Sequence, residues 1–93
     1  SAADGEYLPI VKVQPIYPRR ALSRGIEGYV IVEFTVTKLG TTKDVFVVES
    51  TSSMFENAAV RAAQKFKYKP RVVDGEPIEV PGVQNKITFE IED

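Results

Sequence analysis

An α+β domain, with two helices packed on a three-stranded antiparallel or mixed sheet, is the fold class that three features of this sequence predict. Residues 53–70 carry one unbroken helical period, residues 28–37 alternate between apolar and polar side chains, and residues 83–91 alternate again near the end. A narrow, alanine-rich helical stripe needs a sheet to lie on, and two strands flanking the helix provide one. Ninety-three residues supply one domain with one modest core.

Taken in order, residues 1–12 are expected to be a flexible or extended segment, with the folded domain over residues 13–93. The loose alternation over residues 7–13 interrupts at Pro9, which tolerates an edge but not a sheet centre. Pro15 and Pro18 hold the next stretch extended, and Pro18 suits the first turn of a short helix over residues 19–24. Gly25 ends that helix, and Ala21 and Leu22 are its expected apolar contacts.

Residues 28–37 form the clearest strand, with Val30, Val32, Phe34 and Val36 on one face and Tyr29, Ile31, Glu33, Thr35 and Thr37 on the other. Residues 38–42 supply a turn, and residues 43–50 return as an antiparallel partner. Val45 and Val47 should face the helix. Phe46 and Val48 fall on the opposite face, where two apolar residues imply either partial cover or a sticky patch.

The long helix is expected over residues 53–70. Phe55, Ala58, Ala59, Ala62, Ala63 and Phe66 share one face, Ser53 with Glu56 reads as a capping box, and Lys65, Lys67 and Lys69 complement the C-terminal dipole before Pro70 stops it. Residues 71–82 hold Asp74-Gly75, Pro77, Pro81 and Gly82, a turn-rich connection with room for a short extended piece at residues 78–80. In the last strand, Val83, Asn85, Ile87, Phe89 and Ile91 alternate with Gln84, Lys86, Thr88, Glu90 and Glu92. A right-handed crossover through the helix places this strand parallel to the second, with the first between them and antiparallel to both. The last strand is then an edge.

Composition narrows the function classes. Twelve basic residues against thirteen acidic ones argue against bulk electrostatic binding of nucleic acid or an anionic membrane. The charges are nonetheless segregated: the run 61–71 has five basic residues and no acidic one, whereas 74–93 has six acidic residues and only Lys86 against them. With neither cysteine nor histidine, thiolate and imidazole chemistry are excluded. The serines at 50, 52 and 53 lack a histidine base and suit capping, and Asp44, Glu49 and Glu56 read as a solvated face. No catalytic, cofactor or metal site is expected. No apolar run is long enough to cross a bilayer. The edge strand leaves two readings open: its charges keep the edge soluble, or the edge accepts another extended segment by strand addition.

An ordered set of residues resembles a known family. Gln14-Pro-x-Tyr-Pro18, Ala21, Gly25, Gly28, the alternating 30–36 strand, Gly40, Val45-x-Val47, Ser52-Ser53, Phe55-x-x-Ala-Ala59, Ala62, Phe66-x-Tyr-x-Pro70 and Ile87-x-Phe-x-Ile91 together are similar to the C-terminal domain of TonB-type energy transducers. Phe66 stands where that family often has tryptophan, a packing change, and residues 71–82 lie in a region where its members vary.

The resemblance implies a periplasmic, non-catalytic protein-binding module in a Gram-negative bacterium. A membrane anchor in the inner membrane and a proline-rich spacer are expected in the full-length protein, outside these residues. ExbB and ExbD, acting largely through those other parts, would couple the module to the proton gradient, and its partners would be TonB-dependent outer-membrane transporters for iron-siderophores or similar ligands. The module would grip the transporter's TonB box as an added strand. By that resemblance the partner-binding residues are Gln14, Pro15, Ile16, Tyr17, Val83, Gln84, Asn85, Lys86, Ile87, Thr88, Phe89, Glu90 and Ile91. The module is expected to be a monomer or weak homodimer, and a TolA-like or self-associating periplasmic assembly domain is the alternative.

Overall fold

The computed structural model describes residues 7–92. The N-terminal segment expected for residues 1–12 therefore lies partly outside the described residues. Helix α1 spans Arg19–Ser23, strand β1 Gly28–Val36 and strand β2 Thr42–Ser50. A 3₁₀ turn at Ser53–Phe55 leads into helix α2, Glu56–Ala63. Strands β3 (Arg71–Val73) and β4 (Glu76–Ile78) form a small hairpin, and β5 runs over Val80–Phe89. The main sheet has the order β2-β1-β5 with β1 antiparallel to both neighbours, which is the expected topology with the last strand on an edge.

The core lies between one face of this sheet and the helices. Strict alternation on β1 sends Val30, Val32, Phe34 and Val36 inward, and all four are buried. From the other side come Ala21 of α1, Phe55, and Ala59, Ala62 and Ala63 of α2. The alanines let α2 approach the sheet closely, so the large groups that fill the layer are aromatic: Phe55 stacks on Phe89, and Phe34 meets Phe66 edge-on. Leu22 turns away and is half exposed, a correction to its expected role, because α1 is too short to bury more than the Ala21 side. Val45 and Val47 pack against the core, while Phe46 and Val48 remain half exposed on the far face.

The long helix is shorter than its period suggests. The N–H groups of Gln64, Lys65 and Phe66 still bond to the carbonyls of Val60, Ala62 and Ala63, which closes the last turn tightly. Beyond it the backbone is taken by distant partners. Lys67 exchanges hydrogen bonds with Val11, and the Tyr68 N–H donates to the Gly40 carbonyl at 2.8 Å. Phe66 and Tyr68 are buried as alternate residues of an extended segment, not as one end of a helical stripe. Lys65, Lys67 and Lys69 thus follow the helix, whose last turn carries Arg61. The capping pair also differs: Ser52 accepts from the Met54 N–H, and the Glu56 carboxylate accepts from Ser50 Oγ at 2.5 Å. The 3₁₀ turn shifts the cap back by one residue.

Residues 71–78 are a true hairpin around Asp74 and Gly75, both at positive φ, where only a turn and a short extended piece were expected. Its strands pair with each other and not with the edge of the main sheet. An ion pair, Lys43 to Glu79 at 2.9 Å, links its base to β2. Glu79 accepts from Lys43 and raises the lysine's pKa.

Tyr68 carries an unusual burden. Its hydroxyl and the Asn85 carboxamide oxygen are both buried without a hydrogen bond among the described residues. Burial pushes the phenol up to about 12 and the neighbouring Tyr7 adds to this; Asn85 acts in the opposite direction, although its geometry falls short of a bond. In the unfolded chain the phenol ionises near 10. Its contribution to stability is therefore complete below pH 10 and is lost as the pH rises to about 12. Tyr68→Phe removes an unpaired buried hydroxyl, so its neutral-pH stability should equal or exceed the parent's. Thermal unfolding at pH 8 and pH 11 should show a smaller alkaline loss for the variant; equal losses would place the sensitivity elsewhere.

Candidate edge-strand binding site

The backbone of β5 is the centre of the site, and the direction of its polar groups follows from β1. The Tyr29 N–H donates to Thr51 Oγ1 and its carbonyl accepts from the Thr51 N–H, so the polar groups of Tyr29 face β2. Alternate groups point the other way. Val30 and Val32 therefore face β5, where their register partners are Ile87 and Asn85. Lys86 and Thr88, between and beyond those partners, direct their N–H and C=O groups outward. Ile91 keeps the inward parity, its N–H donating to the Glu27 carboxylate at 2.7 Å. Among the described residues β1 is the one strand paired with β5.

Side chains sort by the same alternation. Val83, Ile87 and Phe89 are buried, and Asn85 is half-buried beside Tyr68; the backbone groups of these four face β1, so they shape the strand without meeting an incoming segment directly. Lys86, Thr88 and Glu90 are exposed, and Gln84 and Ile91 are partly so. Two of these are braced on the open face: Gln84 donates to Glu33 at 2.8 Å, and the Lys86 ammonium lies 4.3 Å from the Tyr29 ring centroid. Tyr29 is tied in turn to Glu49, which accepts its phenolic hydrogen and raises its pKa.

The N-terminal segment divides into two roles. Gln14 and Pro15 come beside the edge, where they line a cleft of about 160 Å³ with Lys12, Val13, Lys86, Ile87 and Thr88. Ile16 turns instead toward α2 and is 83% exposed. Tyr17 is structural: its ring meets Phe55 and Phe89 edge-on, and its hydroxyl donates to the Ile26 carbonyl. Upstream, Tyr7 donates to the Lys69 carbonyl at 2.6 Å, and Ile10 and Val11 bond to Lys67. Sequence reasoning placed neither Lys12 nor Glu27 at this edge. Both are isolated charges without periodicity, and only pairing across the chain brings them there.

A free edge with this topology and this flanking segment invites comparison with known proteins. The family model described as Gram-negative bacterial TonB protein C-terminal matches residues 13–91. The chain belongs to the TonB C-terminal family. Protein TonB of Pseudomonas aeruginosa is 42% identical over 76 residues, which make up 81% of this chain and 22% of that protein. Protein TonB of Vibrio cholerae is 34% identical over 76 residues, 81% of this chain and 31% of that protein. The chain thus spans between a fifth and a third of those relatives' length. Among solved structures, the Pseudomonas aeruginosa TonB C-terminal domain superposes with a TM-score of 0.75 at 37% identity, covering 97% of this chain and 91% of that one. The TonB2 protein from Vibrio anguillarum gives 0.67 at 42% identity, covering 92% of this chain and 82% of that one. These likenesses agree with the α+β architecture of two helices on an antiparallel sheet.

Proposed function

We propose that this TonB C-terminal domain grips an extended segment at the N-terminus of outer-membrane transporters, the TonB box, by adding it as a strand beside β5. The observation that carries the reading is the edge itself: a ten-residue strand with one partner, whose Lys86 and Thr88 backbone groups open into the cleft beside Gln14 and Pro15. Each added backbone hydrogen bond contributes on the order of 1 kcal/mol net. Aligned along a strand, such bonds share a load applied in shear, which suits a force-transmitting contact.

In this reading the domain works in the periplasm as part of a protein anchored in the inner membrane. ExbB and ExbD, driven by the proton gradient, act on that protein, and force reaches the transporter through the added strand to drive uptake of iron-siderophores or similar ligands. Affinity comes mainly from backbone groups, so one domain can serve several transporters whose boxes differ in side chains.

The test is an amide-shift titration of the labelled domain with a synthetic TonB-box peptide. Shifts should concentrate at Lys86, Thr88 and their neighbours on β5 and at Gln14 and Pro15. A folded monomer that shows no shifts with millimolar peptide overturns the reading. Shifts at the same edge that depend on protein concentration, without peptide, favour the alternative in which two copies pair as an assembly domain.

A further inference from the structure

The segment 13–18 has a second side. Between it and α2 runs an open groove of about 400 Å³, with Val13 and Ile16 on one wall and Met54, Arg61 and Lys65 on the other. Met54, Ala58, Arg61 and Lys65 recur at helical spacing; Met54 and Ala58 are partly buried against the core, and Arg61 and Lys65 are exposed. Ala58 and Ala62 form the floor, and the trough exists because their side chains are small. Pro15 and Pro18 fix the facing wall, so little ordering opposes an incoming chain.

Charge and continuity identify the occupant. Arg61 and Lys65 are exposed in the groove, and no carboxylate lines it among the described residues. They begin the acid-free run 61–71, in which Arg61 complements the dipole in the last turn of α2 and the later basic residues lie beyond the helix end at Ala63. Val13, Gln14 and Pro15 line both this groove and the edge cleft. A chain leaving the β5 edge at Pro15 therefore meets the groove next.

We propose that the groove is a second docking surface, which takes an apolar segment bearing carboxylates as the continuation of the transporter chain paired on β5. The apolar residues lie over Ala58 and Met54, and the carboxylates meet Arg61 and Lys65. This inference rests on the strand-addition reading for its choice of partner. It explains how a contact made of sequence-indifferent backbone bonds gains selectivity: the strand gives grip, and the flanking residues discriminate.

The experiment compares a TonB-box peptide with the same peptide extended by Leu-Glu-Leu-Asp at either end, and with a Leu-Lys-Leu-Lys extension as the charge control. One acidic extension should bind about tenfold more tightly than the core peptide, with the gain reduced by salt, and should shift Arg61 and Asn57, which also lines the groove. The Arg61→Glu/Lys65→Glu variant should lose the gain and keep the core peptide's affinity. A gain that survives the double variant, or an extension that leaves α2 unshifted, overturns the proposal. If the core peptide itself misses β5, strand addition falls separately. The groove is then judged by acetyl-Leu-Glu-Leu-Asp-amide alone, whose failure to shift Asn57 and Arg61 rejects it too.

Discussion

Gly40→Ala is expected to remove a large share of the domain's stability, on the order of 3–5 kcal/mol, against totals of roughly 5–15 kcal/mol for small domains. Gly40 sits at φ 83°, where an L side chain is already strained, and a Cβ built there overlaps the Tyr68 carbonyl oxygen. That neighbour cannot retreat cheaply. The Tyr68 N–H donates to the Gly40 carbonyl, and the Tyr68 side chain is 2% exposed among the core aromatics. Separating the two backbones would break that bond and draw Tyr68 from its packing. Gly75 provides the comparison, with φ 79° and nothing within 4 Å of an added Cβ. Gly75→Ala should cost about 1 kcal/mol from backbone conformation alone. Urea midpoints that coincide for the two variants would show that the close approach at Gly40 contributes nothing.

Thr88→Pro should weaken TonB-box binding about a hundredfold while the domain stays folded. Its N–H points outward, so the ladder to β1 survives, and its side chain is exposed. Proline is tolerated on edges in this orientation. The incoming strand, however, loses a donor and meets the ring where it must lie flat, a combined loss of a few kcal/mol. Thr88→Ala should change affinity less than threefold, because the backbone remains. Ile87→Pro, one residue away, removes an inward bond and a side chain 1% exposed, and should unfold the domain. Circular dichroism together with the peptide titration separates these cases. A folded Thr88→Pro domain that binds like the parent would rule out pairing at this edge.

Much of this architecture is legible along the chain. The alternation in β1 assigns every buried position on its inner face, and the same rule separates Val83, Ile87 and Phe89 from Lys86, Thr88 and Glu90. The turn chemistry at Gly25, Gly40 and Asp74-Gly75 marks where elements stop. The reading of residues 53–70 failed for a specific reason. Phe66 satisfies a helical spacing from Phe55 and, equally, a strand spacing to Tyr68, and periodicity cannot choose between them. The candidate site was legible only in part. Its strand has a pattern, whereas Lys12 and Glu27 are single charges, and the basic run that holds Arg61 and Lys65 does not say what it faces; their company depends on the fold.

Side-chain pattern along the chain is enough for the three strands of the sheet, their order, the alanine face that beds on them and the edge position of the last strand. Those follow from periodicity, which every stretch of chain carries within itself, and from the handedness rule that governs a crossover between two strands. The tertiary structure alone decided where α2 ends, which polar groups of β5 face outward and that residues 12–15 flank them. Each of these is settled by backbone hydrogen bonds between distant residues, Val11 with Lys67, Gly40 with Tyr68 and Tyr29 with Thr51. Backbone groups are the same at every residue, so side-chain pattern does not announce their partners.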